Sequence, residues 1–158
     1  TNANGQDLNR AWQNTDPNVS PEVFFALEQM TRYGVDLFLD IHGDEEIPYV
    51  FTAGCEGNPG YTERLATLEE RFRTHLSNLT PDFQTTHGYT RDEPGLANMT
   101  LACNSVGQRF DCLSLTLEMP FKDNNDAPQP QTGWDGKRSM QLGKSVLSTL
   151  SDMVRELR

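Results

Sequence analysis

The stretch Asp36-Leu-Phe-Leu-Asp40-Ile-His42-Gly-Asp44-Glu45 constrains the fold more than any other part of this chain. Three apolar residues followed by Asp40 and Ile41 read as a short buried strand. It stops in His-Gly-Asp-Glu, which makes poor strand and good site material. Side chains alternate along a strand, so Phe38, Asp40 and His42 share one face while Leu37, Leu39 and Ile41 share the other. His42 then emerges at the carboxyl end of the strand, where parallel sheets leave room for ligands.

The segments around it set the class. Ser20, Pro21 and Glu22 form a helix start, with a cap oxygen, a proline in the first position and an acid in the first turn. Val23, Leu27 and Met30 mark its inner face, and Gly34 supplies the stop. A helix running straight into an apolar strand, with a further short strand over 49–53, is the pattern of an alternating α/β chain. After the breaker Asn58-Pro59-Gly60, Leu65, Leu68, Phe72, Leu76 and Leu79 recur at helical spacing, with Glu69 and Arg73 expected as an i,i+4 pair on the solvent side. Residues 80–109 are polar and glycine-bearing, and read as a long loop of the kind that covers or lines a site. A second strand follows over 112–121, with Leu113, Leu115, Leu117 and Met119 on one face and Ser114, Thr116 and Glu118 on the other. Glu118 is therefore a carboxylate projecting from a sheet. Residues 123–137 read as a loop, and from Arg138 a closing helix is marked by Leu147, Leu150, Val154 and Leu157, with Arg155 and Arg158 at its end.

With 158 residues and no internal repeat, the chain reads as one domain. A formal net charge of −10 argues against nucleic acid or an anionic membrane as partner, since both repel it at long range. No stretch approaches the roughly eighteen apolar residues that a membrane helix needs. The 3 cysteines, Cys55, Cys103 and Cys112, lack metal-site or disulfide-framework spacing, so a reducing, cytoplasmic setting is the expectation.

Taken singly, the polar residues leave alternatives open. His42 is either a hydrogen-bonded structural histidine or a metal ligand or acid-base group. Glu118 is either an inward charge paired to a base or a catalytic carboxylate. Asn9-Arg10 can be an ordinary surface pair, Asp44-Glu45-Glu46 a solvated acidic face, and His75 and His87 structural or surface residues.

Three segments in order change this. Asn4-Gly-Gln-Asp-Leu-Asn9-Arg10-Ala-Trp12, then Asp40-Ile-His42-Gly43, then Leu115-Thr-Leu-Glu118 together resemble the zinc carboxypeptidases. His-Gly-Asp-Glu and Thr-Leu-Glu-Met-Pro-Phe resemble the cytosolic carboxypeptidase-like subgroup, including its bacterial members. The resemblance spans about residues 2–121 and implies a three-layer α/β/α sandwich with a mixed sheet. It also implies a metallopeptidase in which Zn2+ is held by two histidines and a glutamate, leaving a position for water. His42 matches the third ligand and Glu118 the general base that takes the water's proton and passes it to the leaving amine. Arg10 and Asn9 match the positions that grip the C-terminal carboxylate of a peptide or protein substrate, for which a planar guanidinium is suited. Asp40 is placed to hydrogen-bond the ligand shell. A tyrosine that touches substrate is also expected, and Tyr89 lies in the corresponding loop region. Arg91 and Arg109 are either surface residues or contacts for an acidic substrate side chain.

The family's first two ligands come from a His-x-x-Glu motif well upstream of the Asn-Arg motif, and an oxyanion-stabilising arginine is expected just before the position of Thr1. Neither is present. The expectation is therefore that residues 1–158 are the C-terminal portion of a single catalytic domain, incomplete on the N-terminal side and inactive alone. Two other readings carry weight: a zinc amidohydrolase of the aspartoacylase and succinylglutamate desuccinylase type, against which His42-Gly43-Asp44-Glu45 tells, and a non-catalytic module that binds C-terminal carboxylates.

Overall fold

A computed structural model describes residues 1–157 and shows an α/β fold built on a mixed three-stranded sheet. In chain order it contains a 3-10 turn (Leu8–Arg10), α1 (Pro21–Tyr33), β1 (Leu37–Asp44), β2 (Phe51–Ala53), α2 (Glu63–Leu79), α3 (Ala102–Phe110), β3 (Leu113–Pro120) and α4 (Gly136–Met153). The strand order is β1-β3-β2, with β1 parallel to β3 and β2 antiparallel to it.

The strand alternation read from the sequence decides the layers. Leu113, Leu115 and Leu117 turn to a core shared with Leu65, Leu68, Phe72 and Leu76 of α2 and with Leu142, Val146 and Met153 of α4. On the opposite side Phe38 meets Val23 and Leu27 of α1 and Val106 of α3. The sheet is thus sandwiched between two helical layers. β1 is half-buried rather than buried, because it lies at a sheet edge among the described residues, and Ile41 is exposed there. Gly34 ends α1 with φ at 80°, a backbone region that glycine enters without strain. Ser20 stands at the predicted cap, but its hydroxyl donates to the Asp16 carbonyl at 3.5 Å instead of accepting from the helix.

Four expectations are corrected here. Residues 102–110 form α3 and are not part of a long loop; its Ala102, Cys103, Asn104, Ser105, Val106 and Gly107 are buried, and their small size lets the helix lie close against the sheet. The inner face of α4 is Leu142, Val146, Thr149 and Met153, while Leu147 and Val154 are exposed. That helix ends at Met153, so Arg155 falls beyond it, and Arg158 lies outside the described residues. Glu69 and Arg73 are only 2% and 8% exposed, so the pair predicted on the solvent side is inside.

The buried pair belongs to a cluster at the end of β2. Glu69 Oε1 accepts the Cys55 N–H at 3.1 Å and its Oε2 lies 3.2 Å from Arg73, which also reaches Glu56 at 2.9 Å and the Thr52 hydroxyl at 3.2 Å. Burial, and then the charge of Glu56, push the Glu69 carboxyl up to about 7 against the downward pull of Arg73. A Cβ at Gly54 would meet Glu69 Oε2 at 2.3 Å, so this turn requires glycine.

Candidate active site

The site forms at the carboxyl ends of the two parallel strands. In the β1–β3 ladder His42 stands directly opposite Glu118, and Asp40 opposite Thr116. All four side chains lie on one face, and the loops beyond the strand ends border a cleft of about 820 Å³ whose lining includes Asn9, Arg10, His42, Glu118 and Tyr89. The residues that the sequence singled out from three separate segments therefore meet in one cavity.

His42 is held between two carboxylates. Its Nε2 lies 3.0 Å from Asp40 Oδ2 and its Nδ1 3.5 Å from Glu118 Oε1. The hydrogen bond to Asp40, then that to Glu118, raise its pKa to about 10 against the opposing effect of burial. Two carboxylates flanking one imidazole make this a place for positive charge. With Asp40 accepting from Nε2–H, Nδ1, which faces Glu118, is the nitrogen at which a cation would replace a proton. Glu118 is 3% exposed, and its Oε2 is buried with no hydrogen-bond partner. These features suit a metal beside His42. Among the described residues, however, no group of three His, Cys, Asp or Glu side chains could hold a metal ion.

The turn at Leu8–Arg10 is positioned by α3. Asn9 Oδ1 accepts the Ala102 N–H at 3.0 Å, capping a helix whose own N-cap, Leu101, has no side-chain oxygen to offer. Trp12 strengthens the seam: its N–H donates to the Thr100 carbonyl at 3.3 Å and its carbonyl accepts from the Ser105 hydroxyl at 3.0 Å. Because the Asn9 oxygen is committed to a donor, the amide NH2 is the end left for the cleft. Arg10 is exposed, and its guanidinium donates to the Asn9 carbonyl at 3.2 Å.

Tyr89 reaches the same place from the opposite wall. Its hydroxyl lies 2.5 Å from Asp44 Oδ2 and 3.1 Å from Glu118 Oε1. Burial, followed by the contact with Asp44, raises the phenol's pKa. Burial pushes the Asp44 carboxyl up, but bonds from Ile47 N–H, the Tyr89 hydroxyl and Glu46 N–H hold it below the usual range. Asp44 is thus engaged in the site, whereas Glu45 and Glu46 are exposed as expected of an acidic face. Arg91 lines the cleft and pairs with Glu56 at 3.3 Å, while exposed Arg109 is not among the lining residues. His75 sits 3.9 Å from Asp152, and His87 stacks on Tyr49 with ring centroids 4.1 Å apart.

The sequence reading missed the Asp44–Tyr89 contact and the Glu56–Arg73 wall. For the first a faint signal existed, an acid two residues beyond the strand histidine. The second depends on which side of α2 faces inward.

This α/β sandwich has the fold of solved metallo-carboxypeptidases. Its likeness to solved structures is high over the whole chain. A metallo-carboxypeptidase from Pseudomonas aeruginosa, in complex with (2-guanidinoethylmercapto)succinic acid, superposes with a TM-score of 0.97 at 63% identity, covering 100% of this chain and 42% of that one. A metallo-carboxypeptidase from Burkholderia cenocepacia gives 0.93 at 44% identity, covering 98% and 41%. An uncharacterized protein of Zymomonas mobilis is 46% identical over 157 residues, 99% of this chain and 41% of that protein. No protein-family model matches. Over its whole length the chain is similar to metallo-carboxypeptidases, and it spans about two fifths of the length of these relatives. No helix among the described residues is long and apolar enough to cross a membrane.

Proposed function

We propose that residues 1–158 are the C-terminal portion of the catalytic domain of a zinc-dependent carboxypeptidase, which removes the C-terminal residue of peptides or protein tails. The observation that carries this reading is the pairing of His42 with Glu118 across β1 and β3, with Asp40 behind the histidine and Asn9 and Arg10 in the same cleft.

In this reading His42 is one zinc ligand, through Nδ1, and the remaining ligands come from outside these residues. Zinc, when bound, supplies a polarising centre for the scissile carbonyl and makes water acidic enough to attack near neutral pH. The chain's own residues do the rest. Asp40 accepts from His42 Nε2 and so fixes the tautomer that leaves Nδ1 unprotonated. Glu118 takes the proton of the attacking water and returns it to the leaving amine. Arg10 grips the terminal carboxylate with two parallel charge-assisted bonds, and Asn9 adds an amide donor whose direction is set by its bond to Ala102. The carboxylate clamp is what makes the enzyme an exopeptidase.

The test is Glu118→Gln in the complete parent protein. Turnover should fall by about a thousandfold or more while zinc content stays that of the wild type. Full activity in this variant would end the assignment of the base. Peptide binding in chelator separates the enzyme from a non-catalytic binding module: affinity independent of metal and lost in Arg10→Ala would favour the module.

A further inference from the structure

We propose that Asp44 is a positioning residue that holds the Tyr89 hydroxyl against Glu118, fastening residues 84–92 as a fixed wall of the cleft. This role rests on the carboxypeptidase reading above, and deepens it by naming a residue that acts through another.

The geometry begins with Asp44 itself. Its Oδ1 accepts the N–H groups of Glu46 at 2.7 Å and Ile47 at 2.6 Å, which fixes the carboxylate plane at the end of β1. Its Oδ2 is left to face Tyr89, and takes the hydroxyl at 2.5 Å. A phenol has one proton, and here two oxygens compete for it. The shorter contact, to Asp44, claims it. The phenol oxygen then rests 3.1 Å from Glu118 Oε1. Oε2 is buried and has no hydrogen-bond partner.

Residues 84–92 all line the cleft, and they are tied down along their length. Gln84 Oε1 accepts from Thr86 and His87 N–H, and its amide nitrogen donates to the carbonyls of His87 and Val50. Gly88 packs on Phe51, where a Cβ would come within 2.9 Å of the ring, and Tyr89 meets Phe51 edge-on with centroids 5.0 Å apart. Arg91 ends the wall on Glu56. Of these ties, the one between Asp44 and Tyr89 connects the wall directly to the strand that bears His42. It makes the loop and the catalytic strand ends one rigid unit.

The experiment is a double-mutant cycle in the complete parent with Asp44→Asn and Tyr89→Phe. The asparagine keeps an oxygen for the Glu46 and Ile47 N–H groups, so the turn survives, but the NH2 in place of Oδ2 cannot accept the phenol proton. Each single variant should lower kcat/KM by about tenfold, and the double variant should be no worse than either single one. Zinc content should be unchanged, and amide exchange across residues 86–91 should quicken in Asp44→Asn. Additive effects, unaltered exchange, or loss of zinc in proportion to activity would each overturn the role given to Asp44 alone. A wild-type parent that releases no C-terminal residue would overturn the carboxypeptidase reading and this role together.

Discussion

The buried carboxylate of Glu69 makes stability depend on pH in a direction opposite to that of an ordinary ion-paired acid. In the folded chain its carboxyl is pushed up to about 7, against 4.5 in the open chain, with burial first and Glu56 second as causes. Folding therefore favours the protonated form. Between pH 4.5 and 7 the unfolded chain releases this proton while the folded chain keeps it, so stability falls as pH rises through that window. At roughly 1.4 kcal/mol per pKa unit, the loss attributable to this residue is on the order of 3 kcal/mol once pH exceeds 7. Glu69→Gln should remove it. The amide oxygen still accepts the Cys55 N–H, and Arg73 keeps its 2.9 Å contact with Glu56. Urea titrations of both proteins from pH 4.5 to 8 check this, because groups common to both cancel in the difference. The variant should gain on the wild type by about 3 kcal/mol across the window. A difference that stays constant with pH, or that grows in favour of the wild type, would refute the argument that this carboxylate is buried at the expense of its charge.

Other outcomes follow from the same contacts. Asp40→Asn should weaken zinc binding by the parent about tenfold or more, read by competition with a chelator, because the histidine loses the charge behind it. Gly54→Ala should lower stability by about 1–3 kcal/mol in urea denaturation, since the added Cβ meets a buried carboxylate at 2.3 Å. Asp135→Ala should cost about 1 kcal/mol, seen as a lower midpoint of thermal unfolding, by removing the cap that accepts the Arg138 N–H at 2.8 Å.

Much of the fold was legible because burial imposes a period. Alternation in β1 and β3 gave both faces of the sheet, and Leu65, Leu68, Phe72 and Leu76 gave the core face of α2, while Leu79 at its end is exposed. What failed had no such signal. α3 packs through Cys103, Asn104, Ser105 and Gly107, residues that read as loop because their small size, not their hydropathy, suits them to that position. In α4 Thr149 and Met153 hold inner positions while Leu147 and Val154 face out, so of the large aliphatic residues counted only Leu150 and Leu157 reach the core. Glu69 and Arg73 have the spacing of a surface pair, and only the neighbouring Glu56 and Cys55 explain why they lie inside. His42, Glu118, Asn9 and Arg10 were identifiable from their motifs, but that they line one cleft depends on the pairing of strands distant in sequence. Tyr89 was noticed by its region, whereas its partner Asp44 was read as part of a solvated acidic face.

The direct opposition of His42 and Glu118 in a parallel ladder has a consequence for how such a site is acquired. Their spacing is the repeat of a sheet, about 4.8 Å between strands, and no loop can adjust it. A slip of one residue between β1 and β3 would turn Glu118 into the apolar layer and present Leu117 or Met119 in its place. The site therefore has no partly formed, partly active version. The helices of this chain can form from local contacts, but Glu118 and His42 meet only when strands far apart along it have found their register. In the complete parent, recovery of the proposed activity during refolding should accordingly lag the recovery of helix, and would serve as a clock for that pairing.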